Sequence, residues 1–93
     1  MFPRVLERMR ELVRASRYVV TLHATEEMDA DDFTVYDVEH CVLTGRIISR
    51  QRDRVTAEWK YLVQGSTVSG NRGVVVARIG PTGTLVIITV YEL

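Results

Sequence analysis

The chain reads as an α+β domain: two to three N-terminal helices packed on one face of a mostly antiparallel sheet of four to five strands. Three observations point there. An apolar stripe at helical spacing opens the chain, a helix start signal stands at Thr34, and everything beyond Gly45 alternates with a period of two and is broken by glycine-rich turns. Ninety-three residues are too few for two separate cores, so residues 1–93 form a single domain.

The elements follow in order. Pro3 suits a first helical turn, and Val5, Leu6, Met9, Leu12 and Val13 make one amphipathic face that ends near Ser16. Tyr18 to His23 alternates as a strand, with Tyr18, Val20 and Leu22 turned to the core and Val19, Thr21 and His23 turned away. A short helix is expected over Thr25 to Ala30. At Thr34 an N-cap, Asp37 three residues on and the Phe33/Val38 staple pair announce a helix. Its buried stripe is Val35, Val38, Cys41 and Val42, and Gly45 ends it. A short strand at Ile47 to Ser49 leads into an arginine-rich connection over 49–54. Ala57 to Gln64 then alternates; turning Trp59, Tyr61 and Val63 inward puts Trp59 in the core and Glu58, Lys60 and Gln64 outward, and the opposite choice exchanges the faces of Lys60 and Tyr61. "GNRG" at 70–73 turns, Gly73 to Ile79 is a strand, "GPTG" at 80–83 turns back and Thr84 to Tyr91 returns. A four-residue loop there sets Ile79 opposite Thr84, Ala77 opposite Val86 and Val75 opposite Ile88.

Composition bounds the rest. With 46% hydrophobic and 26% charged residues the chain is neither disordered nor fibrous. One cysteine, Cys41, allows no internal disulfide and fits a reducing, cytoplasmic setting, and no apolar run is long enough to cross a bilayer. The formal charge is zero but segregated. Residues 1–17 hold five arginines against two glutamates, residues 18–45 hold seven acids and no Lys or Arg, and residues 46–93 hold seven bases against three acids. Such a chain can turn a basic face to an anionic partner.

This strand pattern collects His23, Lys60, Gln64, Arg78, Thr89 and Tyr91 on the sheet face away from the helices. Cleaving RNA without metal or cofactor needs a base for the 2′-hydroxyl, cations for the phosphorane and an acid for the 5′-oxygen. Histidine titrates in the right range, so His23 is the candidate proton-transfer group. Arg78 and Lys60 are the candidate phosphate clamps, and Tyr91 or Tyr61 could stack a base or donate a hydrogen bond. Arg50, Arg52, Arg54 and Arg72 form a candidate RNA-contacting rim. No metal site is expected, since His40 and Cys41 are adjacent and no third ligand stands nearby. The same residues also suit a non-enzymatic domain that binds a protein or RNA, with His23 as a junction residue and the acidic 26–32 segment as a docking surface.

The segments "LHATEEM", "FTVYDVEHCVLTGRII", "KYLVQG" and "GVVVARIGPTGTLVIITVYE" resemble the domain of unknown function 4258. That family is similar to the RelE-like and BrnT-like ribonuclease toxins, and the element order is also similar to MqsR-like toxins. The resemblance implies a RelE-like fold and a metal-independent endoribonuclease of a type II toxin–antitoxin system. Such an enzyme acts on RNA, on or off the ribosome, and an antitoxin encoded nearby holds it. It matches His23 to the family histidine, Lys60 and Tyr61 to polar strand positions, and Tyr91 to the terminal tyrosine.

Overall fold

A computed structural model describes residues 1–93 and shows three helices on one face of a five-stranded sheet. The order along the chain is α1 (Pro3–Arg14), β1 (Tyr18–Val20), α2 (Leu22–Ala30), α3 (Val35–Thr44), β2 (Arg46–Arg52), β3 (Trp59–Ser66), β4 (Arg72–Ile79) and β5 (Leu85–Glu92). In space the strands run β1-β5-β4-β3-β2, antiparallel except for β1 against β5. The expected α+β architecture is therefore present.

One core fills the space between helices and sheet. Leu6, Met9, Leu12 and Val13 of α1, Ala24 and Met28 of α2, and Val38, Cys41 and Val42 of α3 close over Ile47, Val63, Val75, Ala77, Leu85, Ile87 and Val90. The α1 stripe lands as its spacing demands, and the capping box at Thr34 and Asp37 is complete. Val35 departs from its expected place. It is exposed, because as the first residue of α3 it lies beyond the edge of the packed layer.

Helix α3 is pressed onto β3 by two glycines. A Cβ on Gly65 would strike the backbone of Cys41, and one on Gly45 would strike the carbonyls of Gln64 and Cys41. Gly45 ends the helix in extended backbone, φ −89°, so close approach requires glycine there and a left-handed turn does not. Arg10 of α1 donates to the carbonyl oxygens of Val42 and Gly45 and so satisfies the C-terminal end of α3. A second tie between helical layer and sheet is the Tyr18 hydroxyl, which donates to Glu39 at 2.6 Å. Burial and that carboxylate push the Tyr18 phenol up to about 12.

Two strand expectations are corrected. The first strand stops at Val20: Thr21 is the N-cap of α2, its hydroxyl accepting from Ala24 N–H, and Leu22 and His23 are the first helical residues. Leu22 is consequently 75% exposed instead of facing the core. An N-capping threonine with helix-compatible residues after it overrides a six-residue alternation. The second correction concerns the β4–β5 register. Ile79 faces Leu85 and Ala77 faces Ile87, because the reversal takes Gly80 to Thr84, closed by Gly80 N–H on the Thr84 carbonyl and by Gly83 at φ +77°. Leu85 and Ile87 therefore point into the core and Val86 points out. A bulge at Ile88 then shifts the alternation again, so that Val90 is buried while Thr89 and Tyr91 emerge on the open face as expected.

Strand β2 is longer than its apolar residues suggest and carries Arg50 and Arg52 within the ladder, opposite Tyr61 and Trp59. The arginines that read as a connection are strand residues, and the loop is residues 53–58.

Candidate functional site

The third strand enters the sheet from a structured loop. Asp53 Oδ1 accepts from Val55 and Thr56 N–H, Ala57 N–H returns to the Asp53 carbonyl, and Asp53 N–H donates to the Glu58 carbonyl. The Thr56 and Val55 amides hold the Asp53 carboxyl below its ordinary range. Ala57 takes the left-handed conformation, φ +59°, and hands Glu58 to the rim of the sheet.

From there the side chains alternate. Trp59, Tyr61 and Val63 lie on the helix side, and Glu58, Lys60, Leu62 and Gln64 lie on the open side, as the register with Ala77 and Val75 requires. Lys60 and Arg78 thus share the open face at the same end of adjacent strands. The Glu58 carboxylate accepts from Arg78 Nη1 at 2.5 Å, with both side chains partly exposed. Sequence reasoning missed Glu58. The available signal was its two-residue spacing from Lys60, which places carboxylate and ammonium on one face.

Beside this pair opens a cleft of about 320 Å³ lined by Val5, Glu58, Trp59, Tyr61, Ile79 and Pro81. Trp59 is not a core residue; it is 36% exposed at the cleft wall. Arg50 lies 3.9 Å from its ring centroid and Arg52 5.0 Å, while Tyr61 meets Phe2 edge-on at 5.4 Å. The aromatic rings are held in place from behind by cations and by the N-terminal residue preceding α1.

The expected residues divide into groups. Arg78 meets Glu58 with Lys60 on the same sheet face, Tyr61 lines the adjoining cleft, and Arg50 and Arg52 stack against its Trp59 wall. Tyr91 faces Val74, four positions along β4 from Arg78 and on the order of 13 Å away along the strand. Arg72 lies beyond it at the same far end, and Arg54 stands alone on the exposed 53–58 loop.

His23 is not a strand residue on the open face. It is the second residue of α2, 67% exposed, with its Nε2 3.4 Å from Glu27. Helix α2 runs along the outer edge of β5: Thr21 donates from its hydroxyl to the Ile88 carbonyl, and Glu27 accepts from Val90 N–H. Strand β5 separates that helix from Arg78, and no hydrogen bond or ion pair links His23 with Lys60, Arg78 or Tyr91. No three His, Cys, Asp or Glu side chains cluster at metal-binding spacing.

The family model for a domain of unknown function (DUF4258) matches residues 20–92, which takes in every element from α2 to β5. The chain belongs to that family. The DUF4258 match includes the Glu58–Arg78 pair and its cleft, whereas α1, which supplies Val5 to the cleft wall, lies before it. No curated protein and no solved structure matches this DUF4258 chain. No helix is long and apolar enough to cross a membrane.

Proposed function

We propose that this DUF4258 domain is a metal-independent endoribonuclease whose centre is Glu58, Arg78 and Lys60. The observation that carries the reading is the carboxylate–guanidinium pair at the mouth of an aromatic cleft, with an ammonium group on the same strand face. A base stacks in the cleft against Trp59 or Tyr61, which suits any nucleobase because each has a π-face. The ribose and its 3′-phosphate then fall at the rim. Glu58 takes the 2′-hydroxyl proton, the 2′-oxygen attacks phosphorus, and Arg78, released from Glu58, grips the phosphorane oxygens in a fork. Lys60 adds a point charge and gives a proton to the departing 5′-oxygen, which leaves a 2′,3′-cyclic phosphate.

The likeness to RelE-, BrnT- and MqsR-like toxins supports the same chemistry and extends it to a toxin–antitoxin setting. The partner there is a small antitoxin protein and the substrate is messenger RNA. His23 and Tyr91 fall outside this centre. Their expected catalytic roles pass to Glu58 for the base and to Trp59 and Tyr61 for base stacking.

A fluorescent single-stranded RNA incubated with purified protein in excess chelator tests the proposal. Wild type produces cyclic-phosphate ends, and Glu58→Gln, folded by circular dichroism, cuts at least about a hundredfold more slowly, as loss of a general base does. Wild-type protein that leaves the RNA whole, or a Glu58→Gln variant that cuts as fast, ends it. One observation favours a second reading, RNA binding without cleavage: the Arg78 cation is already neutralised by Glu58. In that case RNA binds with a steep salt dependence and stays intact.

A further inference from the structure

At the end of the open face far from Glu58 lies a second concavity, about 250 Å³, lined by Thr44, Gly45, Arg46, Gln64, Gly65, Ser66 and Arg72. No apolar side chain lines it. It exists because β2 begins at Arg46, opposite Gln64, while β3 continues for two more residues and leaves a notch in the sheet. Arg46 stands on one side of the notch and Arg72, opposite Ser66, on the other. Their Cα atoms are two strands and two residues of register apart, roughly 12 Å, so two arginine side chains can converge on one anion between them. Neither guanidinium is in an ion pair, in contrast to Arg8, Arg14 and Arg78. The negative end of helix α3, which borders the notch, is already met by Arg10, and the Ser66 amide is met by the Thr44 hydroxyl.

Two free guanidiniums and a carboxamide around a polar hollow suit a tetrahedral oxyanion. We propose that the Arg46–Gln64–Arg72 notch holds a backbone phosphate of the RNA strand whose scissile bond lies at Glu58. The inference rests on the reading of the Glu58 centre as an RNA site. The two ends are joined by the open face of β3, on the order of 25 Å from Glu58 to Ser66, and along it the partly exposed Lys60, Leu62 and Gln64 alternate outward between the cationic ends. Occupancy of both ends therefore needs an oligonucleotide; a dinucleotide reaches only the cleft.

The test compares wild type with the Arg46→Ala/Arg72→Ala double variant on a short labelled oligouridylate and on the dinucleotide UpU. For the oligonucleotide, the double variant binds at least about tenfold more weakly, and the slope of log affinity against log salt falls by about 0.7, the value for one phosphate of a single strand. Cleavage of UpU is unchanged. An unaltered affinity and slope with wild-type cleavage intact overturns the notch and leaves the Glu58 centre standing. Wild type that binds without cutting, with the slope reduced in the variant, keeps the notch and removes the nuclease. Absence of any RNA binding by wild type removes both.

Discussion

At the scale of single residues, local geometry decides chemistry that composition leaves open. Glu58 and His23 show this in opposite directions. His23 looked like the proton-transfer group because an alternating run placed it on the open face. One N-capping hydroxyl at Thr21 converts its position to the first turn of a helix, beside Glu27. Glu58 drew no notice because its worth lies in a partner twenty residues away, Arg78, which only strand register can bring near. Asp37 carries a sharper consequence. The Thr34 N–H is the main cause holding its carboxyl below the ordinary range, and Val68 N–H and the Thr34 hydroxyl act the same way. A depressed carboxyl stabilises the fold when ionised. That contribution is complete above the ordinary carboxylate range near pH 4 and is lost as pH falls through the lowered value. Asp37→Ala is therefore expected to cost about 1 kcal/mol at neutral pH, below the range for buried charge-assisted bonds because the group is largely solvated. Urea titrations of both proteins should show that gap narrowing below about pH 4.

At the scale of elements, the helices were legible and the strand offsets were not. Period, caps and staple residues are written within a few neighbouring positions, so α1 and α3 could be read directly. The face of β3 was not decided by the sequence, because apolar, aromatic and charged residues fall on both alternations; pairing of Tyr61 with Ala77 and of Val63 with Val75 decides it. The β4–β5 register was not legible either. It depends on whether the reversal holds four or five residues and on a bulge at Ile88, and neither leaves a distinct mark in the sequence. For the same reason the extent of β2 was underread: arginines in a ladder look like loop residues until Trp59 and Tyr61 are known to lie opposite them. The contact of α3 with β3 makes a firm prediction. Gly65→Ala places a methyl against the Cys41 backbone, which cannot step aside as a side-chain tip would. A loss on the order of 2 kcal/mol is expected, as overpacking of a filled core gives, and chemical denaturation measures it. Gly70→Ala, in open space at φ +92°, carries only local backbone strain and serves as the comparison.

At the scale of the whole molecule, one core unites the helices with the sheet, and Cys41 sits at its centre. It is fully buried, and burial, helped by Asp37, pushes its thiol up to about 11. A protonated thiol without solvent access does not react. Native protein mixed with an aromatic disulfide reagent should therefore release colour only at the rate of global opening. Addition of urea should accelerate the release in step with loss of circular dichroism; an immediate burst would show that α3 lifts off separately. The charge segregation seen along the chain also resolves at this scale. The acidic stretch becomes α2 and the start of α3 on the helical side, and the basic C-terminal half becomes the sheet.

The two borders of that sheet are not equivalent. Along β5 the backbone groups left by the short first strand are taken up by Thr21 and Glu27, whereas β2 has only solvent beyond it. Of the two edge strands β2 offers seven residues and β1 three, so edge-to-edge joining of two molecules builds the longer ladder through β2.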